Sequence, residues 1–258
     1  MSLRKLEVCL TPALLHLYDI RESIAVVIDV FRATSSICYG IENGAEAIIP
    51  VATIESCESY RESDYLLAAE RDGEVVAGFD FGNSPFAYSK EKVNGKTVVL
   101  TTTNGTHAIN ESREAKKIVI GSFLNLTSLC SWLKTQPDHV FLLCAGWKNK
   151  FNLEDTLFAG AVVHQLQSEG YQLDDSSIAA EDLYIAGKAD LNEYLKKTSH
   201  SERLKKLGIE DDIRFCLNVD ITTAIPILEG DQLVKMNKEE GIRISGQRIK
   251  TADQIFIP

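Results

Sequence analysis

The sequence predicts an α/β fold: a three-layer α/β/α sandwich with a mostly parallel sheet and a helical, charged C-terminal third ending in a hairpin. Three observations carry this. Apolar runs of strand length recur along the chain. Most are continuous rather than alternating, as strands covered on both faces require. Segments of helical length separate them.

The predicted strands are Ile24–Val30, Ala47–Val51, Tyr65–Ala69, Thr97–Thr101, Lys117–Ile120 and Val140–Cys144. Among the helices, Ser35–Asn43 precedes Gly44, which suits the left-handed residue after a helix. Thr53 is placed to cap Ile54–Ser63, a helix is expected to start at Pro85, and Thr127–Lys134 is shorter. Leu153–Glu169 is the clearest helix, with Asn152 before it, Glu154 and Asp155 in its first turn and Gly170 after it. From Ala179 to Leu207 the pattern is helical and charged. Leu233–Met236 and Ile242–Ile249 read as a closing hairpin around Lys238-Glu239-Glu240-Gly241. No repeat, linker or Pro-rich stretch divides the 258 residues, so a single α/β domain is expected, with residues 179–207 as a helical subregion.

A hydrophobic content of 45% offsets the entropy of ordering and excludes a disordered chain. Asp and Glu outnumber Lys and Arg 37 to 27, which argues against a nucleic-acid surface. No apolar run approaches the roughly 18–20 residues that span a bilayer, and no signal-peptide core follows Arg4-Lys5. A cytoplasmic protein without a membrane partner is the expectation. The six cysteines form no C-x-x-C pair and read as buried thiols, not as a zinc site. A homodimer is the default for a soluble oligomer.

Polar residues gather after the strands. Asp29-Val30-Phe31-Arg32-Ala33-Thr34-Ser35 follows the first predicted strand, Glu70-Arg71-Asp72-Gly73 the third, and Thr102-Thr103-Asn104-Gly105-Thr106 the fourth. Ala145-Gly146 and the loop to Glu154-Asp155 follow the sixth. In a parallel sheet these carboxyl ends share one edge, where ligand crevices form. A carboxylate at Asp29, a guanidinium at Arg32 and a hydroxyl-rich helix start at Thr34 and Ser35 suit a phosphoester with a metal. The competing reading makes Asp29 a helix cap.

Thr102–Thr106 is the strongest anion cradle, with Gly105 free to take positive φ and small neighbours exposing backbone N–H groups. An ordinary Asn-Gly turn is its plain alternative. Asp80, Asn83 and Ser84 lie in a turn-rich segment before Pro85 that composition alone marks as loop. Glu154 and Asp155 favour a helix dipole, or serve as oxygen ligands that hold Mg²⁺ beside a phosphate. No P-loop, C-x₅-R loop, G-x-S-x-G elbow or G-x-G-x-x-G is present, which disfavours covalent catalysis through Ser or Cys.

Val27-Ile28-Asp29-Val30-Phe31-Arg32-Ala33-Thr34-Ser35, Glu70-Arg71, Gly78-Phe79-Asp80-Phe81-Gly82-Asn83-Ser84-Pro85 and Thr102-Thr103-Asn104-Gly105-Thr106 together resemble the 2-phosphosulfolactate phosphatase family of coenzyme M biosynthesis. Cys144-Ala145-Gly146, Leu153-Glu154-Asp155 and Phe215-Cys216 are similar too, so the blocks span most of the chain. Asp72 and Ala87 depart from the pattern, where a glycine and an acid are usual, and Ser199–Leu204 matches in part. The resemblance implies a Mg²⁺-dependent phosphatase that converts (2R)-2-phospho-3-sulfolactate to 3-sulfolactate and phosphate.

The expected metal ligands are drawn from Asp29, Glu154 and Asp155. Arg32 and the Thr102–Thr106 loop bind phosphate oxygens, and Asp29 or Glu70 orients or deprotonates water. Asp29 as a nucleophile stays open. Arg71, Lys148 and Lys150 are the available cations for a sulfonate. Another small phosphorylated hydroxy acid or sugar phosphate is the alternative substrate, and a non-catalytic anion-binding module the alternative class.

Overall fold

A computed structural model describes residues 3–237. Its strands are β1 (Lys5–Cys9), β2 (Ser23–Ile28), β3 (Ala47–Pro50), β4 (Leu66–Arg71), β5 (Glu74–Val75), β6 (Thr97–Thr101), β7 (Lys117–Gly121), β8 (His139–Cys144), β9 (Gln172–Leu173), β10 (Pro226–Glu229) and β11 (Gln232–Lys235). They form one sheet in the order β5-β4-β6-β3-β11-β10-β7-β2-β8-β1-β9. β7, β2, β8, β1 and β9 are mutually parallel, as are β3, β6 and β4. Between these two blocks sits the antiparallel β10–β11 hairpin, β10 against β7 and β11 against β3.

The helices are α1 (Ala33–Glu42), α2 (Ile54–Glu58), α3 (Lys90–Val93), α4 (Gly105–Glu111), α5 (Leu126–Lys134), α6 (Leu153–Leu166), α7 (Asp175–Gly187), α8 (Leu191–Leu195), α9 (Ser199–Lys206) and α10 (Glu210–Cys216). Period-two alternation in the central strands divides the core. Ile24, Val26 and Ile28 of β2 pack with α5, α6 and the C-terminal helices, through Leu133, Leu157, Phe158 and Leu204. Ala25 and Val27 face the other way, toward Ile37 and Ile41 of α1 and Ile109 of α4. Two buried layers flank one sheet, which is the three-layer sandwich. Central strands must be apolar on both faces, so their sequences do not alternate.

Some expectations shift. The Gly44 and Gly170 backbones are left-handed, with φ of +93° and +72°, as helix-ending glycines should be. Thr53 caps α2, accepting from the Ser56 N–H at 3.0 Å, but α2 ends at Glu58 rather than Ser63. The segment from Pro85 is a single 3₁₀ turn, Pro85–Tyr88.

Leu233–Met236 overlaps a hairpin strand, but its partner is the preceding Pro226–Glu229, and Gly230-Asp231 makes the turn. Gly230 has a φ of +60°, which glycine allows at no steric cost. The hairpin fills the middle of the sheet instead of closing it. Residues 238–241 and 242–249, expected as its turn and second strand, lie outside the described residues. β1, absent from the sequence reading, pairs beside β8. Its alternation with Lys5 and Glu7 hid it. All six cysteines are free and buried.

Candidate active site

The expected single edge does not hold, because the three antiparallel pairings β7–β10, β10–β11 and β11–β3 set the β3-β6-β4 block opposite in direction to the β7-β2-β8 block. The loops after these strands meet all the same: Gly105 packs against Asp29 and Ala33, and the Lys148 N–H donates to Asn104 Oδ1 at 2.9 Å. A narrow cavity there is lined by Asp29, Arg32, Glu70, Asn83 and Asn104, and by Trp147 and Arg203. The loops that build it are braced from within. The Asp29 backbone N–H donates to Thr34 Oγ1 at 3.0 Å, and Ser35 Oγ donates to the Val30 carbonyl at 2.9 Å. These hydroxyls hold the loop's shape.

Asp29 is not a helix cap: the residue preceding α1 is Arg32. Its carboxyl is buried and pushed up to about 7, first by burial and next by the negative charge of Glu70. His200 and the Ala33 N–H oppose the shift, and Glu154 adds to it. A carboxyl in this state exchanges its proton near neutral pH.

Glu70 organises the neighbouring loops, accepting from the Gly73 N–H at 2.5 Å and the Thr103 N–H at 3.2 Å. Thr102 and Thr106 clasp each other, each backbone N–H donating to the other's hydroxyl at 3.2 Å. Three N–H groups of the expected cradle are therefore occupied. Those of Asn104 and Gly105 have no acceptor among the described residues. Gly105 does not use positive φ. Its lack of a side chain matters instead, since a Cβ there would lie 2.5 Å from Ala33 Cβ and 2.8 Å from Asp29 Oδ2.

Asp155 is a brace. Its Oδ1 accepts from the Val30 N–H at 2.9 Å and its Oδ2 from the Gly146 N–H at 3.0 Å. Burial, Glu154 and Asp29 hold its pKa well above the ordinary carboxylate value. Glu154 pairs with His200 through Oε1, while its buried Oε2 has no partner. Asn83 Oδ1 is buried and unpartnered as well. Orphaned acceptors are costly in an interior. Asn83 lines the cavity and Glu154 lies near enough for its charge to act on Asp29, so the two mark a place for a cation or a donor.

Other expected site residues serve the walls. Arg32 forms a buried ion pair with Asp212 and donates to the Gly73 carbonyl at 2.8 Å. Ser84 Oγ reaches the other Asp212 oxygen at 3.0 Å. Arg71 donates to the Glu70 carbonyl and to Thr101 Oγ1 at 2.6 and 3.1 Å. Asp80 accepts from the Leu67 N–H at 2.8 Å, between β4 and its flanking loop. Lys148 pairs with Asp72 at 2.9 Å on the surface.

The sequence reading missed His200, Arg203, Asp212 and Trp147. His200 and Arg203 lie on α9 and Asp212 on α10, helices whose charged composition resembles any solvated surface. The partial family match over Ser199–Leu204 was the available signal.

No group of three or more His, Cys, Asp or Glu side chains shaped to hold a metal occurs among the described residues. Mg²⁺ needs fewer, since it takes one or two carboxylates and completes its shell with water and phosphate oxygens. Glu154 Oε2 and the Asp29 carboxyl fit that requirement, as hard oxygens in a site where unbalanced negative charge already lifts a carboxyl pKa. Among the described residues no helix is long and apolar enough to cross a membrane.

Residues 9–231 match the family described as 2-phosphosulpholactate phosphatase. A protein of Thermotoga petrophila named probable 2-phosphosulfolactate phosphatase is 45% identical over 204 residues, 79% of this chain and 88% of its own length. Its Thermotoga maritima counterpart, named alike, is 44% identical over the same shares. One from Gloeobacter violaceus, with the same name, is 39% identical over 78% of this chain and 86% of its own.

Proposed function

The chain belongs to the 2-phosphosulfolactate phosphatase family, and from that premise we propose that it is a cytoplasmic, Mg²⁺-dependent enzyme hydrolysing (2R)-2-phospho-3-sulfolactate to 3-sulfolactate and phosphate. The observation that carries the reading is Asp29. It is a buried carboxyl poised near neutral pH, beside the orphaned Glu154 Oε2 and next to the free Asn104 and Gly105 N–H groups.

Glu154 Oε2 and one Asp29 oxygen are the ligands that would hold Mg²⁺. When bound, the ion neutralises charge on the phosphate oxygens. The Asn104 and Gly105 N–H groups bind phosphate oxygens and orient the phosphorus. Asp29, through its second oxygen, orients the attacking water and accepts its proton. Glu70 keeps the Gly73 and Thr103 backbones in register around that centre. Asp155 fixes the Val30 and Gly146 N–H groups, and with them the loops that carry Asp29 and Trp147.

The test is phosphate release from 2-phosphosulfolactate, phospholactate, phosphoglycolate and p-nitrophenyl phosphate, with Mg²⁺ and with EDTA. The proposal expects Mg²⁺-dependent turnover that is fastest on the sulfonated substrate. Turnover on the other esters alone would reject the substrate, and turnover unaffected by EDTA would reject the metal.

A further inference from the structure

A substrate bearing a phosphate, a carboxylate and a sulfonate needs positive charge in the cavity, yet most nearby cations are already matched. Arg32 is neutralised by Asp212, and Lys148 by Asp72. Arg71 is turned to a carbonyl and a hydroxyl of its own sheet edge. Arg203 differs. It lines the same cavity as Asp29 and Glu70, and among the described residues no carboxylate lies within ion-pair distance of it.

Its guanidinium is nevertheless fixed in place. The Cζ sits 3.7 Å from the centroid of the Trp147 ring. Nη2 donates to His200 Nε2 at 2.7 Å, and Nη1 to the Asp72 carbonyl at 3.2 Å. Because His200 Nε2 accepts, its proton is on Nδ1 and is donated to Glu154. Arg203 is thus tied through His200 to the carboxylate proposed to hold the metal. The remaining N–H groups of the fork have no acceptor among the described residues.

A planar, stacked guanidinium with spare donors matches a sulfonate. That group is a permanently charged oxyanion and a weak metal ligand, so it must be read by hydrogen-bond donors rather than by the ion. We propose that Arg203, stacked on Trp147 and oriented by His200, is the specificity-determining residue that binds the substrate's sulfonate, an inference that rests on the phosphosulfolactate reading above.

The test compares wild type, Arg203→Ala and Arg203→Lys on 2-phosphosulfolactate and on 2-phospholactate, which replaces the sulfonate with hydrogen. Arg203→Ala is expected to lose on the order of 10²-fold in kcat/KM on the sulfonated ester, as removal of one partner of a desolvated charge pair does. On phospholactate the loss stays within a few-fold, and Arg203→Lys falls between, since it keeps charge but loses the fork. Equal losses on both esters would overturn the assignment.

A second readout is independent of turnover. 3-Sulfolactate should raise the melting temperature of wild type more than lactate does, and Arg203→Ala should abolish that difference. A difference that survives in Arg203→Ala, or is missing from wild type, overturns the sulfonate site. Wild type that fails to hydrolyse phosphosulfolactate yet shows the Arg203-dependent shift would sink the proposed reaction and support the subsite.

Discussion

The site has two halves built on different principles. One is the set of loops after β2, β4 and β6, braced over short stretches of chain. Asp29 bonds Thr34, Thr102 bonds Thr106 and Glu70 bonds Gly73, at separations of five, four and three residues. The other half is α9 and α10, held only by distant partners. Arg32 and Asp212 are 180 residues apart, Ser84 and Asp212 128, and His200 and Glu154 46. Strand-end loops carry their own scaffold, whereas the helices acquire a place only by docking. The first half supplies Asp29, Glu70 and the backbone donors; the second supplies the histidine and the uncommitted arginine, and Glu154 of α6 joins the site through that histidine.

Removing the tie between the halves should give the largest effect. Arg32→Ala leaves Asp212 buried without its cation, a change that costs about 3–5 kcal/mol. Hydrogen exchange should register most of that loss in α9 and α10, with β2 and β8 little changed. Uniform loss across the sheet would mean that the two halves form one cooperative unit.

Gly105→Ala probes the loop half. A Cβ 2.8 Å from Asp29 Oδ2 must displace the carboxyl, and misplacement of about 1 Å can cost about 10²-fold in kcat/KM. Full activity in this variant would show that the loop yields easily. Asp155→Asn comes next, expected to cost about 1–3 kcal/mol by leaving one backbone N–H unpaired. Its Mg²⁺ requirement should not change; a weakened Mg²⁺ response, titrated by activity, would move Asp155 from brace to ligand.

A separate effect is on pH. Asp29 is raised to about 7 from 3.8, so the metal-free folded state binds the proton more tightly than the unfolded chain. Its stability should therefore be highest below about pH 4 with respect to this group and should fall as pH rises toward about 7. Asp29→Asn should remove that component of the slope in denaturant unfolding, and an unchanged slope would place the raised carboxyl elsewhere.

The same division governs what the sequence discloses. The strands with continuous apolar runs were legible because burial on both faces leaves a composition that charge cannot interrupt. β1 was not, since an alternating pentapeptide near the terminus carries too little periodicity. Asp29, Glu70 and Asn104 could be found because each follows a strand, and Asn83 because it stands in a block of the family resemblance; that two oppositely directed strand blocks would bring them together was not legible. Nor were the roles of Arg32 and Asp155. Whether a guanidinium faces a ligand or Asp212 depends on a partner 180 residues away, and whether a carboxylate takes a cation or two N–H groups depends on one donor nine residues off and another 125 residues off. His200 and Arg203 were hidden for the same reason, in a helix whose sequence reads as surface.

The most direct test of the account is the Asp29→Asn variant, assayed for phosphate release from 2-phosphosulfolactate with Mg²⁺ beside wild type, with melting temperatures of both. The account predicts a folded variant whose kcat falls on the order of 10²-fold or more, as loss of a proton-transfer group does. A folded variant with wild-type turnover would remove Asp29 from the chemistry and contradict the account.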